Sequence, residues 1–171
     1  HPEIPKIAGT YSGLCRIFGG GSTMWQDYEE SERLFAGTDT MAVNIAALFI
    51  PHPLTHMFSW HYKQIAANKM WREAEMPDDK SIVHSVKDFS RVDWIWHFNG
   101  STSVSGLSAI DVAYLLGYRK IVLCGIPMDG NGYFYKPNIN RDMNDKYRHA
   151  EVRRLHAFYG NCLKSFSGFT K

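Results

Sequence analysis

Two turns rich in glycine and hydroxyl side chains are the parts of this 171-residue chain best suited to hold a charged ligand. Gly19-Gly20-Gly21-Ser22-Thr23 follows an apolar run and opens a polar helical stretch. Glycine lets a phosphate come close to the backbone, and the free N–H groups of a helix start favour an anion. A plain tight turn explains the same residues, because the pattern has neither the lysine of a Walker loop nor the GxGxxG spacing. The second turn carries Ser101, Thr102, Ser103, Ser105 and Gly106. Ser105 alone would suffice to cap the helix that follows. The remaining hydroxyls exceed what capping needs and point to ligand contact.

Further along, Tyr133, Tyr135, Tyr147 and His149 fall after the last clear strand, where groups that close over a ligand are expected. A tyrosine hydroxyl can donate to a phosphate, and a histidine titrating near neutrality can take a proton from an attacking hydroxyl. An aromatic hinge that packs the loop is the alternative. His52, His56 and His61 invite a metal, but Pro51 and Pro53 interrupt the helix that would align them, so they read as structural or surface groups. Asp129 and the pair Asp78-Asp79 could hold a divalent cation. Aspartate is equally favoured in turns for its local backbone hydrogen bonds.

These residues need a scaffold, and the hydrophobic pattern supplies one. Leu14 to Phe18, Met41 to Asn44, Thr55 to Trp60, Ser81 to Val86, Trp94 to Phe98 and Lys120 to Cys124 read as strands. Helical spacing appears through Trp25, Tyr28 and Leu34, from Tyr62 to Glu75, over Leu107, Ile110, Ala113, Tyr114 and Leu116, and from Arg141 to Leu163. Gly117 fits the left-handed residue that closes a helix. Strands alternating with helices predict an α/β fold, a mainly parallel, doubly wound (Rossmann-like) sheet with helices on both faces. In such a sheet both turns lie beyond the carboxyl ends of strands, where ligand crevices form.

The length suits one nucleotide-binding domain over residues 1–171. The chain opens on His1 rather than Met, which predicts residues upstream of it. Lys and Arg number 19 against 17 Asp and Glu, a net charge of +2 that is spread along the chain, so no nucleic-acid footprint is expected. An odd number of cysteines, Cys15, Cys124 and Cys162, points to a reducing compartment, the cytoplasm. Neither a signal peptide nor a membrane-spanning run is evident.

Phe98 to Gly106, followed by Ala113 to Ile126, resembles the core of bacterial sialyltransferases that use a CMP-sugar donor. It is also similar to the related domain of motility accessory factors and archaeal hydroxymethylpterin pyrophosphokinases. The resemblance implies that Gly19, Gly20 and Gly21, with Asn44 after the second strand and Ser105-Gly106, bind the nucleotide, and the turn hydroxyls of Ser22 and Ser103 are expected to join them. It implies that Tyr133 or Tyr135 assists departure of the phosphate, that His149 is the base, and that Tyr147 joins the binding residues. The expected function is therefore nucleotide-sugar-dependent glycosyl transfer by direct displacement to a glycan or small-molecule acceptor. No metal or other cofactor is required by that mechanism. Pyrophosphokinase-like phosphoryl transfer is the alternative enzyme, needing Mg²⁺ with Asp129 or Asp78 as ligand. A non-catalytic nucleotide-binding module is the third reading, and a homo-oligomer is compatible with each.

Overall fold

The computed structural model describes residues 4–97 and 104–127. Strands β1 (Leu14–Phe18), β2 (Asp39–Val43), β3 (His56–Phe58), β4 (Ile82–Ser85), β5 (Trp94–Ile95) and β6 (Lys120–Cys124) form a single sheet. Helices α1 (Met24–Phe35), α2 (Tyr62–Glu75) and α3 (Ser105–Leu116) connect them, and a 3₁₀ turn covers Asn44–Leu48. The sheet order is β5-β4-β3-β2-β1-β6, and every pairing is parallel. This is the expected α/β architecture.

Side chains alternate across a strand, so each strand contributes to two cores. Cys15 and Ile17 of β1, with Met41 and Val43 of β2 and Phe58 of β3, face α3 and its Leu107, Ile110, Ala113 and Leu116. Phe18, Ala42, Met57 and Val83 point the other way, to Met24 of α1 and Ile65 of α2. Burying each large apolar side chain contributes about 1.5–3 kcal/mol. Gly117 closes α3 at φ 118°, and a Cβ there would come within 2.2 Å of the Tyr11 carbonyl oxygen, so glycine is required twice over.

Several ends differ from the expectation. Asn44 leaves β2 because it adopts φ 54°, a left-handed conformation that no ladder accepts. The expected strands Thr55 to Trp60 and Ser81 to Val86 contract to β3 and β4, and of the strand expected from Trp94 the described residues pair over Trp94–Ile95. The strand-helix-strand run β5-α3-β6 also spans more than expected. Its two strands are parallel but occupy opposite edges, because β6 pairs with the open side of β1 while β5 ends the run on the far side of β4. The order in which strands are added to the sheet therefore switches sides between β1 and β6, while all strands stay parallel. The expected helix Arg141 to Leu163 lies outside the described residues.

Among the described residues no helix is long and apolar enough to cross a membrane. Cys15 and Cys124 are buried free thiols. Burial pushes both thiols up, Cys124 to about 11, so neither is a thiolate at neutral pH.

Candidate functional site

All three helices start at the carboxyl edge of the sheet. α1 follows β1 through the glycine turn and α2 follows β3 directly. The first turn of α3 is tied to the same edge by Trp60, whose indole N–H donates to the Ser108 hydroxyl at 3.0 Å. Its other end lies at the amino edge, where the Leu115 and Leu116 carbonyls accept from Gly9 and Tyr11. Gly19–Ser22, Asn44 and Ser105-Gly106 thus share one edge, beyond the strands, as their sequence positions predict.

The glycine turn uses its freedom differently from the expectation. A Cβ on Gly19 would meet Ile126 Cγ1 at 2.6 Å, and one on Gly21 would meet Pro127 Cδ at 2.4 Å and the Gly125 oxygen at 2.6 Å. Gly19 N–H donates to the Cys124 carbonyl and Gly21 N–H to Gly125, each at 2.7 Å. The close approach that glycine permits is taken up at those two positions by the loop after β6, not by open space for a ligand. Asp27 in the first turn of α1 completes the lock, its Oδ2 accepting from Gly125 N–H at 2.8 Å and from the Thr23 hydroxyl at 2.7 Å. Gly20 and Ser22 remain, half-buried, and their N–H groups meet no acceptor among the described residues.

Ser105 is not the cap of α3. The cap position is Val104, without a side-chain hydrogen bond, and the Val104 carbonyl accepts from Leu107 and Ser108 N–H. The first-turn N–H groups of Ser105 and Gly106 have no intrahelical acceptor and face the edge that Trp60 marks. Asn44 is held more closely. Its Oδ1 accepts from the Ser59 hydroxyl at 2.8 Å, and its carbonyl accepts from the Asn68 amide at 2.6 Å. Ser85 at the end of β4 donates to the Ser59 carbonyl at 2.8 Å, so the rim is cross-linked from β2 to β4.

Ser59, Trp60, Asn68, Ser85 and Ser108 were not among the residues singled out from sequence. The usable signal was a serine placed directly at the end of a buried strand, as at Ser59 and Ser85. Ser103, Tyr133, Tyr135, Tyr147 and His149, with Asp129, lie outside the described residues.

The aspartate pair is in the wrong place for a cation at this edge. α2 runs back to the amino edge, and Asp79 there accepts from Leu54 N–H and Ser81 N–H while pairing with buried Arg72. Burial pushes the Asp79 carboxyl up, but Ser81, Leu54 and Arg72 outweigh it and hold it below its ordinary value. Asp78 sits beside it, at the edge opposite Gly20, Asn44 and Ser105. The histidines are dispersed: His61 is exposed, His52 lies near Glu32, and His56 is fully buried under α3. Among the described residues no cluster of three or more His, Cys, Asp or Glu could hold a metal ion.

Comparison of the chain with models of protein families, with curated proteins and with solved structures finds no match.

Proposed function

We propose that the carboxyl edge of the sheet binds the phosphate of a nucleotide or nucleotide-sugar. The observation that carries this reading is the convergence there of the Gly20 and Ser22 N–H groups, the Asn44 amide and the start of α3. Each offers N–H donors, and the three helix starts add partial positive charge. One carboxylate, Asp27, lies at that rim, and its Oδ2 is occupied by Gly125 N–H and the Thr23 hydroxyl. Such donors neutralise a departing phosphate by fixed dipoles, so the displacement needs no metal to proceed.

We extend this reading to a sialyltransferase-like glycosyl transfer, on the resemblance of residues 98–106 and 113–126 to that family. In that extension His149 takes the proton of the attacking acceptor hydroxyl and Tyr133 or Tyr135 donates to the leaving phosphate. The acceptor is a glycan or a small molecule. The pyrophosphokinase alternative loses Asp78 as its Mg²⁺ ligand, because that residue lies at the other edge.

The test is a thermal-shift panel of CMP, UMP, AMP, GMP and their sugar conjugates. A ligand present at 100 times its Kd adds about 2.7 kcal/mol of stability. A shift with one nucleotide, abolished by adding a bulky side chain in Gly106→Val without loss of fold, supports the site. A panel without any shift refutes it.

A further inference from the structure

Asn44 combines a conformation that costs energy with two hydrogen bonds that pin it. Its φ of 54° is one of only two positive values at non-glycine residues among the described residues. A left-handed non-glycine residue is strained and persists only where the surroundings determine it. The determinant is Asn68, a buried residue of α2 whose amide donates to the Asn44 carbonyl.

The side chain is fixed separately. Ser59 Oγ accepts from His61 N–H at 3.0 Å and gives its own proton to Asn44 Oδ1 at 2.8 Å. Ser59 is itself immobilised by Ser85, and the neighbouring Trp60 by Ser108. With Oδ1 occupied, the Asn44 NH₂ group has no acceptor among the described residues, at the edge where the N–H groups of Gly20 and Ser22 are also unused. An amide NH₂ can only donate, so its complement is an acceptor oxygen, as on a phosphate.

Resting on the reading that this edge binds a nucleotide, we propose that Ser59 and Asn68 are positioning residues. Asn68 sets the Asn44 backbone, and Ser59 occupies the side-chain Oδ1 so that the NH₂ is presented to the ligand phosphate. The amide is thereby oriented before the ligand arrives, and binding does not have to order it.

The test is isothermal titration of the whole chain with CMP, UMP, AMP and GMP, followed by variants titrated with the tightest of the four. Asn44→Gly suits the positive φ and removes the amide; it should weaken binding about 10- to 100-fold, the value of one hydrogen bond to a charged group. Ser59→Ala should weaken it about 3- to 10-fold, and Ser59→Thr should restore it. In the Asn44→Gly background Ser59→Ala should cost nothing further, because the group it orients is gone. Asn68→Leu should resemble Ser59→Ala in affinity; the single-hydroxyl deletion carries the test if Asn68→Leu does not fold. Unchanged affinity in folded Ser59→Ala, or equal losses in both backgrounds, overturns the positioning role while leaving the nucleotide reading intact. Failure of the wild type to bind any of the four nucleotides overturns that reading, and the positioning role with it.

Discussion

Acidification from pH 7 to 4.5 should destabilise this fold through a buried chain of hydrogen bonds under α3. Trp96 Nε1–H donates to His84 Nδ1 at 3.0 Å, and His84 Nε2 meets His56 Nδ1 at 3.0 Å. His56 Nε2 meets the Tyr118 hydroxyl at 2.9 Å, and Tyr118 donates to Asp39 Oδ2 at 2.8 Å. An indole N–H can only donate and a carboxylate only accept, so the protons must run in one direction along the whole chain. Each imidazole then carries one proton and uses its other nitrogen as acceptor, leaving no place for a second. Burial lowers both histidines, His56 to about 4 despite the nearby Asp39 charge, and His84 well below its ordinary value with His56 adding to the effect.

The sign follows from proton counting. Between pH 6.5 and about 4 the unfolded chain binds a proton at residue 56 that the folded chain refuses. The stability contribution is complete above 6.5 and is lost as pH falls toward 4, roughly 3 kcal/mol for His56. His84 acts in the same direction. Asp111 opposes them: burial raises its carboxyl from 3.8 to about 6, so acid relieves a buried charge there. Its contribution is roughly 2 kcal/mol after solvent screening of a half-buried group. Asp111→Asn should therefore steepen the acid loss, which is measured by urea unfolding followed through the tryptophan fluorescence at steps between pH 7 and 4.5. A loss below about 1 kcal/mol in Asp111→Asn over that range would refute the one-way proton arrangement.

Three further outcomes are expected. Tyr118→Phe keeps the ring but strands the buried His56 N–H and should cost about 1–3 kcal/mol in urea unfolding at pH 7.5; a change within about 0.5 kcal/mol would show that the hydroxyl is dispensable. Gly21→Ala drives a methyl into Pro127 Cδ and the Gly125 carbonyl and should cost about 1–3 kcal/mol, with the melting temperature as readout. An unaltered melting temperature would show that the loop after β6 yields. For the catalytic reading, His149→Ala should lower glycosyl transfer about 10²- to 10⁴-fold with nucleotide affinity retained, and equal turnover in the folded variant removes His149 as the base.

Local chemistry was enough to delimit much of this molecule. Leu14–Phe18, Tyr62–Glu75 and Lys120–Cys124 have the bounds that periodicity assigns them, and Gly117 closes α3 in the left-handed conformation expected of it. Strand-helix alternation likewise implied the parallel sheet, because a right-handed crossover returns each strand in the same direction. That constraint alone places Gly20, Asn44 and Ser105 at one edge of the sheet.

Tertiary structure decided what lies beside what. Strand order depends on pairing between distant segments, so periodicity could not tell that β6 joins β1 and sends β5 to the far edge. That single pairing brings Gly125 against Gly19 and Gly21, turning two glycines read as a phosphate cradle into a backbone contact. Asn68 and Ser59 are 24 and 15 residues from Asn44 in sequence, and nothing local marks them as its partners. His56 and His84 look alike as isolated histidines. Only packing under α3 puts their nitrogens 3.0 Å apart, away from water, where the energy of an unmade hydrogen bond fixes both the tautomers and the fold's response to acid.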